Sequence, residues 1–246
     1  TALEDVTFDV VAGGVHSIIG PNGAGKTTLF NLVTGLYRPT RGRVLLAGAD
    51  VTGAQPSSLA ARGLSRTFQN LQIFFNMTAL ENVMVGAHLH SDRRLSSALF
   101  RVRGLGRRER ASADRARALM TAVGLDAYAR STAASMPYGA LKRLEIARAL
   151  ASQPKLLLLD EPAAGLNLAE TVEIGKLIRE IAASGVTVLL VEHNMRLVME
   201  ISDRVLVLDR GQLLADGTAD EVRADPQVVR AYLGTRAAEA RESLCA

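Results

Sequence analysis

The sequence GPNGAGKT, residues Gly20 to Thr27, decides how the rest of the chain is interpreted. It matches the pattern G-x-x-x-x-G-K-[ST] and lies between a predicted strand, Val15 to Ile19, and a predicted helix, Thr27 to Thr34. Glycines let the backbone N–H groups curl around phosphate oxygens, and the positive end of the following helix adds to the attraction. Lys26 supplies a charge for the β- and γ-phosphates, and the Thr27 hydroxyl can hold Mg²⁺. The sequence therefore predicts a nucleotide-binding loop.

The composition indicates a globular protein of moderate charge. The chain has 246 residues, of which 48% are hydrophobic, enough for a sizeable core. Lys and Arg number 29 against 25 Asp and Glu, and this small excess does not predict a nucleic-acid partner. The single cysteine, Cys245, excludes an internal disulfide and favours a reducing, cytosolic compartment. Apolar stretches such as Val186 to Val191 fall far short of the ~20 residues that cross a bilayer, so we expect any membrane association to be peripheral. The start of the chain also lacks a secretion-signal pattern.

Continuous apolar runs alternate with amphipathic segments in the second half of the chain. The runs Lys155 to Leu159 and Val186 to Val191 are predicted strands, and between them apolar residues recur at helical spacing from Ile174 to Ile181. Buried strands separated by amphipathic helices indicate a parallel sheet covered on both faces. The fold class predicted from the pattern is therefore α/β.

Other segments complete the predicted organisation. Residues Thr78 to Val123 are helical in pattern and rich in arginine, with a predicted break at Gly104 and Gly106, which indicates a helical subdomain. Near the end, Val205 to Leu208 and Gln212 to Ala215 predict a hairpin. A short strand and a helix are also predicted between the nucleotide loop and the helical region, at Val44 to Ala47 and Pro56 to Arg62.

Two carboxylates end the predicted strand in LLLLDEP, residues Leu156 to Pro162. The carboxyl ends of parallel strands form the ligand site of such a sheet. We expect Asp160 to reach the metal and Glu161 to accept a proton from an attacking water, a role that typically contributes a factor of ~10² to 10⁴ in rate. His193, in VEHNM, follows the next predicted strand, which is expected to neighbour the strand that ends at Asp160. A lone histidine is more often structural, but at this position it could instead contact the γ-phosphate, and both interpretations stay open.

The remaining histidines predict no metal site. His88 and His90 have the spacing of a ligand pair, but no third ligand is near, so they are interpreted as surface residues. His16 is expected to pack within its strand.

The order of the motifs resembles that of ATP-binding cassette (ABC) ATPases. The motifs are the loop at Gly20, Gln69 after a short β-rich run, MPYGA at 136 to 140 before IARAL, LLLLDEP and His193. Local sequences narrow the resemblance to the ATP-binding subunits of branched-chain amino-acid importers. They are RTFQN, MTALENVMVG, RLEIARAL, DEPAAGLN, VEHNM and the C-terminal GTADEVRADPQVVRAYLG.

The resemblance implies a P-loop NTPase core with an inserted α-helical subdomain. The core would comprise residues 1–70 and 154–216, the helical subdomain residues from about 71 to 153, and a C-terminal helical segment residues 217–246. It also implies that two subunits enclose two ATP molecules with Mg²⁺. Hydrolysis would drive two membrane-spanning permease subunits, supplied by an extracytoplasmic binding protein, from the cytoplasmic face of the membrane. The second ATPase subunit would be a paralogous or an identical chain.

The residues that the resemblance assigns fall into three groups. Catalysis would use Glu161, His193 and Gln69. The metal would be held by Thr27, Gln69 and Asp160. Nucleotide contacts would come from Gly20, Pro21, Asn22, Gly23, Ala24, Gly25, Lys26, Thr27, Thr28 and Asp160 of one subunit, and from Pro137, Tyr138, Gly139 and Ala140 of the other.

The chain departs from the wider family in the stretch before IARAL. The usual L-S-G-G-Q reads Met136, Pro137, Tyr138, Gly139, Ala140, so the serine hydroxyl and the glutamine amide are absent. Apolar residues recur at helical spacing after it, which predicts a helix that starts near Gly139 and directs its free N–H groups at the partner's γ-phosphate. We therefore expect this stretch to bind nucleotide through its backbone.

Two further departures concern the loop after Glu161 and the adenine. Asn167 stands where the wider family has aspartate, in keeping with the importer branch. The aromatic residue that stacks on adenine in the family would precede Thr1, because Phe8 belongs to the following strand, so the chain is expected to be trimmed at its start.

Two other functions compete with the importer. One is the ATPase of lipopolysaccharide export, which shares the length and layout, and the other is a soluble ABC protein that acts on ribosomes or DNA. RTFQN and VEHNM favour the importer over the first, and the lack of a second cassette or basic extension argues against the second. Nine arginines between Arg93 and Arg117 form either a solvated helical face or a contact for permease loops or anionic headgroups.

Overall fold

The computed structural model describes residues 2–87 and 105–231 of the chain. The chain divides into two compact units. The first unit consists of Thr1–Leu59 and Leu158–Ala246, and the second of Ala60–Leu157. The domain limits expected from the sequence, near residues 70 and 154, stay a prediction.

The first unit is built on a sheet whose strands are β1 (Val15–Ile19), β5 (Leu156–Asp160), β6 (Thr187–Val191), β7 (Arg204–Asp209) and β8 (Gln212–Gly217). Their order in the sheet is β5-β6-β1-β7-β8. Strand β1 pairs in parallel with β6 on one side and β7 on the other, whereas β8 returns antiparallel to β7. Every residue of β1 and β6 is buried, as expected for central strands of a sheet that is covered on both faces. The α/β fold class, the parallel core and the terminal hairpin are confirmed.

Polar side chains cap several helices of the first unit. In α6 (Leu168–Ala183), Asn167 and Glu170 form a reciprocal capping box, and Asn194 caps α7 (Met195–Ile201). The apolar residues predicted from helical spacing in α6, from Ile174 to Ile181, are buried. The other helices that begin in this unit are α1 (Lys26–Val33), α2 (Pro56–Ala61) and α8 (Ala219–Ala224), and a short antiparallel pair, β2 (Leu45–Leu46) and β3 (Ala49–Asp50), lies between α1 and α2.

The second unit is mainly helical. Its helices α3 (Ala79–Gly86), α4 (Leu105–Ala122) and α5 (Tyr138–Leu150) pack against one another, and β4 (Leu64–Arg66) precedes them. Two single-turn 3₁₀ helices, Asp126–Tyr128 and Ala133–Ser135, connect α4 to α5. Buried apolar side chains from all three helices form the core of this unit: Val83, Met120, Leu144 and Ile146.

Helix α4 begins at Leu105, between Gly104 and Gly106, and includes Gly106 in its first turn, so the predicted break before this helix stays a prediction. A glycine costs a helix only about 1 kcal/mol relative to alanine, so the surrounding helix formers outweigh it. Gly104 lies outside the described residues, as do His88, His90 and the arginines from Arg93 to Arg103. Among the helices that the described ranges contain, none combines the length and apolarity needed to cross a membrane.

Candidate nucleotide-binding site

The loop from Gly20 to Gly25 leads from the end of β1 directly into α1, as the sequence predicts. Gly20 has a φ of 152°, and a Cβ there would overlap the backbone carbonyl of Leu208 on β7. Gly25, the N-cap of α1, has a φ of 103°, and its Cβ would lie 2.9 Å from the carbonyl oxygen of Ala2. Both positions therefore require glycine for backbone conformation and for space.

Lys26 is the first residue of α1 and is buried, with 6% of its surface exposed. Its ammonium group donates to the carbonyl oxygens of Gly20 and Pro21, at 2.7 and 2.9 Å. Burial lowers the pKa of Lys26, and the charge of Glu161 acts in the opposite direction. The first turn of α1 carries no acidic residue, and no side chain caps its N-terminus. A lysine and uncompensated N–H groups at one helix end are the donor set that a phosphate chain requires.

Asp160 and Glu161 lie at the carboxyl end of β5. Asp160 is the last residue of the strand and is buried. Glu161 follows with a φ of 49°, in the left-handed region that residues other than glycine rarely adopt, and its N–H donates to the carbonyl of Val191 at 2.9 Å. Such strained residues persist where the surroundings fix them, and they concentrate at functional sites.

His193 lies beside Glu161, because β6 is the neighbour of β5 in the sheet. Its Nε2 is 2.8 Å from Oε1 of Glu161. The His193 side chain is 45% exposed and that of Glu161 19%, so the pair faces solvent on one side. The sequence-based expectation that these two strands are neighbours is confirmed, and both side chains can reach the same bound group.

Gln69 lies in the second unit, in an exposed segment that follows β4. Two side chains of α5 form hydrogen bonds with this segment. The Phe68 N–H donates to Oε1 of Glu145 at 3.3 Å, and Arg148 donates to the carbonyl of Gln72. Glu145 is 5% exposed, and burial raises its pKa despite the Phe68 N–H. Gln69 therefore stands in a loop whose two ends are held by one helix.

The stretch from Met136 to Ala140 forms the start of α5. The helix begins at Tyr138, one residue from the predicted start, with Pro137 as its N-cap and no side-chain cap. Pro137 has a ψ of 153°, and Gly139 and Ala140 are buried while Tyr138 is 45% exposed. No side-chain hydroxyl or amide therefore caps the first-turn N–H groups of α5.

A protein-family model described as ABC transporter matches residues 3–164, about two thirds of the chain. The chain belongs to the ABC transporter family. A second model, of branched-chain amino acid ATP-binding cassette transporters, matches residues 212–238. The α/β fold and the ATPase activity predicted from the motifs are those of this family, and the chain is an ABC ATPase.

Curated relatives of this ABC ATPase carry names from one kind of transporter. It is 44% identical to the high-affinity branched-chain amino acid transport ATP-binding protein BraF of Pseudomonas aeruginosa over 95% of the chain and 92% of that protein. It is 43% identical, with the same coverage, to the corresponding protein LivG of Escherichia coli. A probable LivG of Archaeoglobus fulgidus is 34% identical over 97% of the chain and 91% of that protein.

Solved structures of ATP-binding cassettes share the fold. A nucleotide-free cassette from an ABC transporter has a TM-score of 0.81 and 33% identity, covering 94% of this chain and 92% of the other. A cassette in its ADP conformation has a TM-score of 0.82 and 34% identity, covering 95% and 92%. A dimeric post-hydrolysis cassette bound to ADP and phosphate has a TM-score of 0.73 and 25% identity, covering 89% and 90%.

The structure places the predicted site residues of this ABC ATPase in two groups. The first unit brings together the loop from Gly20 to Thr28 with Asp160, Glu161 and His193. The second unit carries Gln69 and the stretch from Pro137 to Ala140. Their individual roles stay predictions.

Two buried glutamates beside these groups, Glu145 and Glu192, are not among the residues predicted from the sequence. Glu192 directly follows the apolar strand β6. A charged residue at the end of a fully buried strand is the only sequence signal that marks it. The expected burial of His16 within β1 is confirmed. Across residues 2–87 and 105–231, no group of three or more His, Cys, Asp and Glu side chains can hold a metal.

Proposed function

We propose that this ABC ATPase hydrolyses Mg²⁺-bound ATP with Glu161 as general base, and that the reaction powers the import of branched-chain amino acids. The observation that supports the catalytic part is the contact between Glu161 and His193 in the unit that also holds Lys26. The charge of Glu161 acts on Lys26, so the carboxylate and the ammonium group belong to one electrostatic site.

The chemistry follows from the donors and acceptors in the first unit. Backbone N–H groups between Gly20 and Thr28 and the Lys26 ammonium bind the phosphate oxygens. The Thr27 hydroxyl and the Asp160 carboxylate would hold Mg²⁺, and the family resemblance assigns the Gln69 amide oxygen to the same ion. Magnesium is usually held by one or two carboxylates together with substrate phosphates rather than by an all-protein cage, and this donor set fits that preference. The ion would neutralise charge on the transferred phosphate.

Glu161 performs the proton transfer. Its carboxylate accepts a proton from water as the water oxygen forms a bond to the γ-phosphorus, and the bond from that phosphorus to the bridging oxygen of ADP breaks. His193 donates a hydrogen bond to a γ-phosphate oxygen, and its contact with Glu161 keeps both side chains aimed at the same place. The products are ADP and phosphate.

A partner subunit, either identical or paralogous, would complete each ATP site. Pro137, Tyr138, Gly139 and Ala140 of one subunit would contact ATP held by the other. The uncapped start of α5 supports this role, because its first N–H groups do not donate to a capping side chain. The dimeric cassette among the structural relatives supports the arrangement as well.

The transport partners are proposed from the relatives. The names of BraF and LivG and the match of residues 212–238 support an ATP-binding subunit of a branched-chain amino-acid importer. Its partners would be two permease subunits and, indirectly, an extracytoplasmic solute-binding protein, and it would act at the cytoplasmic face of the membrane. These relatives favour the importer over lipopolysaccharide export and over a soluble ABC protein.

Reconstitution tests the proposal. The chain would be combined with the permease pair and second ATPase subunit of its own organism in liposomes that enclose ATP and Mg²⁺. We expect uptake of labelled leucine, dependent on the binding protein, that is lost with Glu161→Gln. ATP hydrolysis without uptake of leucine, isoleucine or valine would reject the assigned solute, and absence of ATP hydrolysis would reject the whole proposal.

A further inference from the structure

Glu192 is a charged side chain enclosed in the first unit. It lies between Val191, the last residue of β6, and His193, and only 4% of its surface is exposed. A buried carboxylate is costly unless its oxygens accept hydrogen bonds. The partners of these oxygens therefore indicate what the residue does.

Both carboxylate oxygens accept from backbone N–H groups, and they reach two different loops. Oε1 accepts from the N–H of Ala163 at 2.8 Å, in the loop that follows β5. Oε2 accepts from the N–H groups of His193 and Asn194, at 2.8 and 3.1 Å, in the loop that follows β6. One carboxylate thus joins the loop that carries Glu161 to the loop that carries His193.

A backbone hydrogen bond also joins the start of the loop after β5 to the end of β6. The N–H of Glu161 donates to the carbonyl of Val191 at 2.9 Å, and Ala163, which Glu192 holds, is only two residues beyond Glu161. Glu161 is kept in its left-handed conformation between these two attachments. The side chains of Glu161 and His193, one from each loop, are in contact at 2.8 Å.

We propose that Glu192 is a positioning residue for ATP hydrolysis. It acts through the N–H groups of Ala163, His193 and Asn194 and sets the distance between the Glu161 carboxylate and the His193 imidazole. The inference rests on the proposed roles of Glu161 and His193. It adds a residue that need not touch nucleotide and that controls the geometry of the two that do.

The chemistry of the site requires a carboxylate of this length. All three partners are N–H donors, so the side chain must accept on both arms, and a carboxylate is the side chain that only accepts. Glutamine would turn an NH₂ donor toward one of the loops. Aspartate is one methylene shorter and cannot reach both loops from the same backbone position. Either change should loosen one loop relative to the other.

The test compares Glu192→Gln and Glu192→Asp with wild type in steady-state and single-turnover ATP hydrolysis. We expect kcat to fall by about 10- to 100-fold, as for other displacements of about 1 Å at catalytic groups. KM and the affinity for ATP should stay within about twofold, because the phosphate loop is untouched. Asp203→Asn is the matched control, since the Asp203 carboxylate also accepts from a backbone N–H, that of Val15, at 2.8 Å, but at the opposite end of β1. It should lower the melting temperature and leave kcat within about twofold.

A double-mutant cycle separates positioning from stability. If Glu192 acts through His193, Glu192→Gln should slow single-turnover hydrolysis by less than about threefold once His193 is already alanine. A wild-type kcat in both Glu192 variants would overturn the inference. It would also be overturned if the rate loss of the double variant equalled the product of the losses caused by Glu192→Gln and His193→Ala alone. Should Glu192→Gln not fold, Glu192→Asp provides the same comparison. An inactive wild type would instead reject the proposed function, so the two failures are distinguishable.

Discussion

Replacing Glu161 with glutamine should stop ATP hydrolysis while leaving ATP bound. The amide keeps the length and shape of the side chain and can still hydrogen bond to Nε2 of His193, which lies 2.8 Å from Oε1 in the wild type. The left-handed backbone at residue 161, with its φ of 49°, is also retained, because glutamine and glutamate have the same backbone preferences. What is lost is the ability to take a proton from water.

The magnitude follows from that single loss. General-base catalysis typically contributes a factor of about 10² to 10⁴. At about 1.36 kcal/mol for each factor of ten, the barrier should rise by about 2.7 to 5.4 kcal/mol. ATP affinity should be equal or higher, because a negative charge near the phosphates is removed while Lys26 and the loop N–H groups remain.

Single-turnover hydrolysis of labelled ATP and equilibrium ATP binding measure the two effects separately. Glu180→Gln is the control, since Glu180 is an exposed carboxylate on α6 in the same unit. It should hydrolyse ATP at a rate within about twofold of wild type. Hydrolysis by Glu161→Gln within that same range would show that another group takes the proton.

Two further predictions concern the loop and the second unit. Gly20→Ala should destabilise the protein by about 1–3 kcal/mol and abolish ATP binding, because its Cβ would overlap the Leu208 carbonyl. Gly42→Ala is the control, because Gly42 also has a positive φ, of 90°, but has open space around it. In a thermal melt it should show only the smaller cost of backbone strain, and its ATP binding should be intact. Glu145→Gln should gain stability relative to wild type at neutral pH and lose that advantage in acid. Burial raises the pKa of Glu145 above 4.5, so the wild type gains stability as the pH falls through the folded-state pKa toward 4.5, whereas the amide does not titrate. Urea unfolding of both proteins at about pH 7 and pH 5 gives the difference, and a constant difference would contradict the shift.

The sequence was sufficient for the local features of the nucleotide site. The loop from Gly20 to Thr27, the strand before it and the helix after it are signalled by residues that are adjacent in the chain. The proximity of His193 to Glu161 also followed, because strands that read as buried and parallel place their carboxyl ends together.

Other features depend on contacts between distant residues. The hydrogen bond from Ala163 to Glu192 and that from Phe68 to Glu145 join positions 29 and 77 residues apart, and a backbone donor carries no side-chain signal. The left-handed conformation of Glu161 was not predicted, because it is imposed by the Val191 carbonyl against the preference of the residue.

The central claim is that ATP is held between the first unit of one subunit and the start of α5 of another. Sedimentation velocity with ATP and Mg²⁺, in a Glu161→Gln background that prevents hydrolysis, tests it most directly. The parent and Ala140→Gln should sediment as dimers. The Ala140→Gln dimer should be equally or slightly more stable, because glutamine adds polar contacts. Gly139→Asp should remain a monomer, since its side chain blocks close approach and its charge repels the γ-phosphate. A Gly139→Asp protein that dimerises with ATP as well as its parent would contradict the claim.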